Sequence, residues 1–270
     1  MTTQKVSSLD GTPITYEKVG SGPALVLVDG AFCRRAFGPM PNLAKALASR
    51  FTVFHYDRCG RGESGDHAAY DPAREVEDLA AVVQATGEAP YVYGTSSGAA
   101  LALRAAASGM ALKKLVVFET PFMLDDTHRP EPKDFRERIA TLLEQGDRSG
   151  AVKVFLRTVG VPAFGVFMMS LMPQVWPKLR QAAHTLPYDF AVLGDTQRGG
   201  PLPADLRAVI TSIRVPTLAL VGSKSPPWMH HAMKVVADLI PHATLRVVPG
   251  ADHNVSAKAI APFLIEHFSA

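Results

Sequence analysis

The sequence has few of the features that mark secreted, membrane-spanning or nucleic-acid-binding proteins. Its 270 residues include only two cysteines, Cys33 and Cys59, too few for a disulfide framework in a chain of this length, and we expect reduced thiols. The N-terminus lacks the apolar core of a signal peptide, and no run of about 18 apolar residues follows that could cross a membrane. Basic residues are scattered and not interleaved with aromatic ones. We therefore expect a cytoplasmic protein whose partner is neither nucleic acid nor a membrane.

The composition also excludes a disordered chain. Hydrophobic residues make up 47% of the sequence, charged residues 20%, and the formal net charge is only +3. An intrinsically disordered chain would have fewer apolar residues and a larger net charge. At this length the sequence predicts one large globular domain, or one domain that carries an inserted segment.

Short apolar runs alternate with helical patterns along most of the chain. Runs rich in β-branched and aromatic residues predict strands at 24–28, 51–56, 91–93, 115–118, 217–221 and 245–248. Helices are predicted between them, one opening at Pro72 and others over 97–107, 226–239 and 257–268. Continuous apolar runs are typical of strands buried on both faces. The alternation therefore predicts an α/β fold, with a mostly parallel sheet covered by helices on both faces.

Residues 121–213 interrupt this alternation. They contain frequent prolines, no strong strand signal and two helical stretches, at 134–144 and 151–158. We interpret the segment as a helical cap that lies over the sheet. The core of the domain would then consist of residues 1–120 and 214–270.

Apolar side chains are dense in the middle of the predicted cap, around Phe167, Met168 and Trp176. Flexible methionines adapt to irregular shapes, which suits a pocket for apolar substrates. The alternative interpretation is that these side chains only build the hydrophobic core. Both can hold, since a cap must pack on the domain below it.

A serine stands in the pattern Gly94-Thr-Ser96-Ser97-Gly98, between a predicted strand and an Ala-rich predicted helix. A nucleophile elbow requires this context, because the sharp turn leaves no room for side chains at the glycines and pushes the serine out at the end of its strand. The helix N-terminus behind the serine favours developing negative charge. Ser96 is thus a candidate nucleophile, and Ser97 a candidate donor to an oxyanion through its backbone N–H. The alternative is a tight turn with a passive serine.

With this motif, the chain resembles the α/β-hydrolase family over nearly its whole length. The likeness rests on residues 27–31, 56–65, 94–98 and 249–253, which occur in the family's order. The resemblance implies the α/β-hydrolase fold, and it implies that the backbone N–H of Ala31 completes the oxyanion hole. Asp29 stands where the family usually has histidine, a difference that could change how this loop is held.

Glycines 60–65 also match the dinucleotide fingerprint Gly-x-Gly-x-x-Gly. No helix is predicted to open at the third glycine, and no acidic residue ends a following strand, so we exclude NAD binding and expect no cofactor. Asp57 and Arg58 are expected to fix this loop. No group of His, Cys and Asp residues has the spacing of a metal site, so no metal is expected either.

His253 is the candidate base. It follows a predicted strand and a Pro-Gly turn, in the family's order of serine, acid and histidine, whereas the other eight histidines lack this placement. The family's usual acid position is occupied here by Ser225. Glu119, at the end of the strand after the elbow helix, is the best replacement, since a charge at a buried strand end needs a partner. Asp195 is a more distant candidate acid, and Asp252 should point away.

These residues predict a serine hydrolase that cleaves a small or medium carboxylic ester, thioester or lactone through an acyl-enzyme. The expected substrate is a small apolar acyl compound. One alternative is a biosynthetic cyclase, lyase or perhydrolase that uses the same site. Another is a non-catalytic ligand-binding homologue, which the missing usual acid and Asp29 keep open.

Overall fold

The computed structural model describes residues 2–67, 69–125 and 130–270. In this part of the chain, eight strands form one sheet in the order β1-β2-β4-β3-β5-β6-β7-β8. The strands are Thr2–Ser7 (β1), Pro13–Val19 (β2), Ala24–Val28 (β3), Thr52–Tyr56 (β4), Tyr91–Thr95 (β5), Lys114–Phe118 (β6), Thr217–Gly222 (β7) and Thr244–Val248 (β8). The first two strands pair antiparallel, and β4, β3, β5, β6, β7 and β8 are parallel to one another. The predicted α/β fold with a mostly parallel sheet is confirmed.

Helices connect the strands. They are Met40–Leu47 (α1), Pro72–Ala85 (α2), Ser97–Ala107 (α3), Phe135–Glu144 (α4), Arg148–Thr158 (α5), Ala163–Ser170 (α6), Trp176–Ala182 (α7), Leu186–Leu193 (α8), Ala204–Thr211 (α9), Pro227–Leu239 (α10) and Ala257–Ser269 (α11), with a 3₁₀ turn at Ala183–Thr185. The start of α2 shows local control by sequence, since Pro72 is the first helical residue and the Asp71 side chain accepts from Ala73 N at 2.7 Å.

The sheet is buried on both faces because successive side chains of a strand point to opposite sides. In β3, Val26 and Val28 belong to a cluster with α2, α3 and α10, whereas Leu25 and Leu27 belong to a second cluster with α1 and α11. All five residues of β3 are buried. This double burial explains why the central strands read as uninterrupted apolar runs.

Helices α4 to α9 lie between β6 and β7 and form most of the segment from 130 to 213 that the structure describes (below, the helical segment). Residues 126–129 of the predicted cap lie outside the described residues. A third apolar cluster joins this segment to the loop after β3, where Phe32 meets Phe155 edge-on at 5.2 Å between ring centroids. The helical segment therefore packs next to the end of β3.

The apolar side chains in the middle of the helical segment do not all build core. Trp176 is buried, whereas Phe164, Phe167 and Leu171 are 73%, 56% and 62% exposed. The expectation that this stretch builds core is therefore wrong for these side chains, which are exposed on a single short helix and the turn after it. That they line a pocket stays a prediction. No helix in the described ranges has the length and apolarity that crossing a bilayer requires.

Candidate active site

Ser96 stands on a strained turn between β5 and α3. Its backbone has φ of 56° and ψ of −130°, a left-handed conformation that is rare for a residue with a side chain. The flanking glycines are required by space: a Cβ at Gly94 would lie 2.6 Å from Gly98 O, and one at Gly98 would lie 2.4 Å from Asp29 O. The turn is tightened by Ser96 N, which donates to Phe118 O at 3.0 Å. The local geometry is that of the nucleophile elbow predicted from the sequence.

His253 reaches Ser96 from the loop after β8. Its Nε2 lies 3.2 Å from Ser96 Oγ, and its Nδ1 lies 2.8 Å from Glu119 Oε2. The His253 side chain is 45% exposed. The imidazole therefore bridges a serine and a carboxylate at hydrogen-bond distance and can be reached by a small molecule from outside.

Glu119 follows β6 directly and is fully buried. It also has a left-handed backbone, with φ of 50°. Besides His253, its carboxylate accepts from Gly222 N at 2.7 Å and from Ser225 Oγ. Both carboxylate oxygens therefore have partners, and Ser225, at the family's usual acid position, donates to a carboxylate at the end of the neighbouring strand.

The two other acidic candidates lie elsewhere. Asp252 accepts from Asn254 N at 2.9 Å, within its own loop. Asp195 pairs with Arg198 at 2.8 Å on an exposed turn. Among the described acidic side chains, Glu119 is thus the one that contacts His253.

The two predicted oxyanion donors come from the residue after Ser96 and from the loop after β3. Ser97 is the first residue of α3, and Ala31 follows Gly30 in the loop after β3. Gly30 packs so closely that a Cβ there would lie 2.9 Å from Ser96 Cβ. Within the described ranges, neither amide N–H donates to a protein acceptor. Both are therefore free to bind a ligand oxygen.

Asp29 is buried beside this loop. Its Oδ1 accepts from Gly30 N at 2.9 Å, and burial raises its pKa to about 7. Burial also raises the pKa of the thiols of Cys33 and Cys59, so that both stay protonated. Neither cysteine forms a disulfide in the structure.

Arg58 belongs to a buried ion-pair network and not to a solvent-exposed loop. It pairs with Glu75 of α2 at 2.5 Å and with Asp189 of α8 at 3.0 Å, and Arg61 pairs with the same Asp189 at 2.8 Å. Arg58 was predicted from the sequence to fix the loop, whereas Arg61 and Asp189 were not predicted to take part. Asp189 has no local signal, because the path of the helical segment that brings it here is set by long-range packing.

A possible metal-ligand group is present that the sequence spacing did not reveal. Ligand atoms of Cys59, His67 and Asp78, all buried, lie within 4.8 Å of one another. Both ring nitrogens of His67 are already engaged, with Asp10 Oδ2 at 2.9 Å and Asp78 Oδ2 at 3.0 Å. His67 and Asp78 thus belong to an arrangement in which a histidine is held between two carboxylates.

Comparison with known proteins shows which family the sequence belongs to. The model of the alpha/beta hydrolase family matches residues 25–263. The chain belongs to the alpha/beta hydrolase family. The resemblance drawn from four short motifs is thereby confirmed over nearly the whole sequence.

Several individual proteins that the chain is similar to are described as hydrolases. The crystal structure of an alpha/beta hydrolase from Sphaerobacter thermophilus DSM 20745 is 46% identical, with a TM-score of 0.90 over 98% of this chain and 100% of that one. A 2-(acetamidomethylene)succinate hydrolase of Mesorhizobium japonicum is 29% identical over 93% of this chain and 91% of its own length. The match to the uncharacterized hydrolase YraK of Bacillus subtilis, at 28% identity, spans 54% of this chain and about half (55%) of that protein. These relatives support a hydrolytic enzyme.

Proposed function

We propose that the protein is a serine hydrolase that cleaves a small or medium carboxylic ester, thioester or lactone through an acyl-enzyme. The observation that carries this proposal is a pair of hydrogen-bond contacts that joins three side chains. His253 Nε2 lies 3.2 Å from Ser96 Oγ, and His253 Nδ1 lies 2.8 Å from Glu119 Oε2. A serine, a base and a base-orienting carboxylate in this arrangement are the parts that acyl transfer needs.

In the proposed first step, Ser96 Oγ attacks the substrate carbonyl while its proton passes to His253 Nε2. The imidazolium that forms is stabilised by Glu119, which accepts from His253 Nδ1–H. The negative oxygen of the tetrahedral intermediate is held by the N–H groups of Ala31 and Ser97. His253 then gives the proton to the departing alcohol or thiol, and the acyl group remains on Ser96.

In the second step, a water molecule gives a proton to His253 and attacks the acyl-enzyme carbonyl. Collapse of this second tetrahedral intermediate returns the proton to Ser96 and releases the carboxylic acid. Glu119 orients the imidazole and stabilises its positive charge, and it takes no proton from it in either step. The two steps balance as the hydrolysis of one acyl bond.

We further propose that residues 121–213 act as a cap and that the substrate is an apolar acyl compound. The aromatic contact between Phe32 and Phe155 supports this, since it places apolar side chains of the helical segment against the residue that follows Ala31. The Mesorhizobium japonicum relative bears the name of a hydrolase of 2-(acetamidomethylene)succinate, which is consistent with a small substrate. A pocket with apolar walls and few polar groups would fix the orientation of such a compound.

A fluorophosphonate probe tests the proposed nucleophile. We expect labelling of Ser96, identified by peptide mass spectrometry, that is lost in Ser96→Ala and slowed by about a hundredfold or more in Glu119→Gln. Asp252→Asn is the matched control, since Asp252 neighbours His253 in sequence but bonds only within its own loop. If the probe does not label the wild type, the proposal of a serine hydrolase is wrong and a ligand-binding homologue is favoured.

A second measurement separates hydrolysis from other chemistry on the same serine. Turnover of p-nitrophenyl butyrate in water enriched in ¹⁸O should place one labelled oxygen in the butyric acid, because water attacks the acyl-enzyme. Labelling of Ser96 by the probe without incorporation of ¹⁸O into any acid product would point instead to a cyclase, lyase or perhydrolase.

A further inference from the structure

Two buried arginines of the loop after β4 hold the backbone of the loop after β3. Arg58 Nη1 donates to Asp29 O at 3.1 Å, and Arg61 Nη1 donates to Gly30 O at 2.7 Å. The two arginines are 0% and 2% exposed, so water does not compete for these contacts. They therefore set the path of the backbone that leads into Ala31.

The contact with Gly30 O acts on the amide of the next residue. The carbonyl of Gly30 and the N–H of Ala31 belong to one planar peptide unit, which is trans, so the two groups point in opposite directions. Fixing the carbonyl oxygen thereby fixes the direction of the N–H. The positive charge of Arg61 also draws electron density from the carbonyl, and an amide polarised in this way is a stronger donor.

Asp189 of α8 holds Arg61 in place. Both of its carboxylate oxygens lie 2.8 Å from Arg61 Nη2, and Oδ1 also accepts from Ser97 Oγ at 2.7 Å. Although burial opposes its charge, Arg61 and Arg58 keep the pKa of Asp189 below its usual value, so the carboxylate stays ionised. One anion of the helical segment therefore contacts Ser97 and the arginine behind Ala31, the two residues whose amides flank Ser96.

Charges within this buried network balance. Arg58 and Arg61 face Glu75 and Asp189, and all four side chains are at most 2% exposed. A buried ion pair needs such compensation, because an unpaired charge in the interior is strongly destabilising. The positive charge beside Gly30 O can therefore persist in the interior only while Asp189 is in place.

We infer that Arg61, anchored by Asp189, is a positioning residue of the oxyanion hole, which it serves by aiming and polarising the N–H of Ala31. The helical segment thus helps to set the strength of the oxyanion hole. This inference rests on the proposed function, because it requires Ala31 N–H to receive an oxyanion. Arg61 makes no described hydrogen bond to Ser96 or His253, so its loss should weaken transition-state stabilisation more than substrate binding.

The test uses Arg61→Met and Arg61→Lys, with Arg35→Met as the matched control. Arg35 is also a buried arginine in an ion-pair network, with Asp57 at 2.9 Å, but it holds no carbonyl of the loop after β3. With p-nitrophenyl butyrate, Arg61→Met should lower kcat between about tenfold and a hundredfold, with KM changed by less than about threefold. Arg61→Lys should recover part of this loss, because lysine keeps a cationic donor. Arg35→Met should leave kcat within about twofold.

Butylboronic acid gives a readout that a merely structural role would not move. It adds to the serine as a tetrahedral species whose oxygen occupies the oxyanion hole, so its inhibition constant should rise in Arg61→Met by about the same factor as kcat falls. Equal kcat and inhibition constants in Arg61→Met and Arg35→Met would overturn the inference.

Failure of the inference can be told apart from failure of the proposed function. An inactive, unlabelled wild type would remove the proposed function, whereas an active wild type with an unaffected Arg61→Met would remove only the inference. If Arg61→Met does not fold, the double variant Arg61→Met with Asp189→Asn removes one charge of each sign and leaves the Arg58–Glu75 pair intact. The same loss of kcat in the folded double variant supports the inference, and wild-type kcat contradicts it.

Discussion

Two of the three side chains in the Ser96–His253–Glu119 chain stand on strained backbone. Ser96 and Glu119 have φ of 56° and 50°, a region that costs a residue with a side chain roughly 1–3 kcal/mol. The surrounding structure must hold each of them, through the glycines around Ser96 and through three hydrogen bonds to the Glu119 carboxylate. At the residue scale, a cost in backbone conformational energy therefore accompanies the orientation of these two side chains towards one histidine.

The contact between Ser225 and Glu119 suggests that the acid can be moved. Because Ser225 Oγ donates to Glu119 Oε1, a carboxylate at position 225 would end close to the place of the present one. We predict that Glu119→Gln lowers kcat by about a thousandfold or more, and that adding Ser225→Asp restores at least about tenfold of this loss. Turnover of p-nitrophenyl butyrate measures both. The matched control is Glu119→Gln with Ser225→Asn, which has the same shape without the charge, and recovery in that control would refute the explanation.

Asp29 should make the protein less stable as the pH rises. Burial raises its pKa from 3.8 to about 7, so between these values the unfolded chain has released a proton that the folded chain still holds. Stability therefore falls from about pH 4 to pH 7 on account of this group. Asp29→Asn keeps the acceptor for Gly30 N without a titrating charge. At pH 8 we expect it to raise the free energy of unfolding by on the order of 1–4 kcal/mol, and Tm with it. At pH 4 we expect no such increase.

Thermal unfolding of Asp29→Asn and the wild type between pH 4 and pH 8 measures this difference. Asp57→Asn is the control, since Asp57 is also buried but pairs with Arg35 at 2.9 Å. Loss of that pair should lower Tm at pH 8, the opposite sign. A constant difference between Asp29→Asn and the wild type over the whole range would show that Asp29 does not titrate there.

Helix α6 shows at the element scale where sequence patterns fail. All its residues except Ser170 are apolar or glycine, yet Val166 is 4% exposed while the next residue, Phe167, is 56% exposed. A uniformly apolar helix has no polar face from which its buried side could be predicted. The orientation is decided by contacts with the third apolar cluster, which depend on residues far away in sequence.

This orientation can be measured with one pair of variants. Val166→Ser should destabilise the protein by roughly 1–3 kcal/mol, because it removes a buried side chain and buries a hydroxyl. Phe167→Ser should change stability by less than about 0.5 kcal/mol, because the ring is mostly in water. Urea denaturation at one pH measures both. Equal costs, or the reverse order, would mean that α6 is turned differently or that another molecule covers it.

Features with a local sequence pattern could be predicted, whereas features set by long-range packing could not. The predicted strands at 24–28 and 115–118 are present as β3 and β6, because a strand buried on both faces leaves a continuous apolar run. The antiparallel strands β1 and β2 are missing from the prediction, since their sequences mix charged and apolar residues. Within the site, the turn around Ser96 has a local glycine signal. Asp189 has none, because only the folding of the helical segment brings it to the site.

At the scale of the whole molecule, the candidate site is an assembly of strand ends. Ser96 follows β5, Glu119 follows β6 and His253 follows β8, and these strands lie side by side with β7 between the last two. The carboxyl ends of parallel strands share one edge of the sheet, where open α/β sheets bind ligands. The site therefore forms only when the sheet is complete, which couples the stability of distant elements to activity.

One such coupling is the His67 bridge, which ties three distant pieces of chain together. His67 Nδ1 lies 2.9 Å from Asp10, in the turn between β1 and β2, and Nε2 lies 3.0 Å from Asp78 of α2. Burial opposes a charge on the ring, but the carboxylates of Asp78 and Asp10 outweigh it and raise the pKa of His67 above its usual 6.5. In the folded protein the ring is thus charged over a wider pH range than in the unfolded chain, while burial raises the pKa of Asp78 to about 6.

The sign of the resulting pH dependence follows from linkage. A raised pKa in the folded state means that protonation of the ring contributes its full stability below pH 6.5, and that this contribution is lost as the pH rises through the higher folded value. We predict that Tm of His67→Gln lies below that of the wild type at pH 6 and that this gap narrows towards pH 9, as measured by scanning calorimetry. His230→Gln, whose ring has no hydrogen bond in the described chain, is the control and should show no such convergence. A gap for His67→Gln that stays constant or widens with pH would mean that the bridge does not depend on a charged ring.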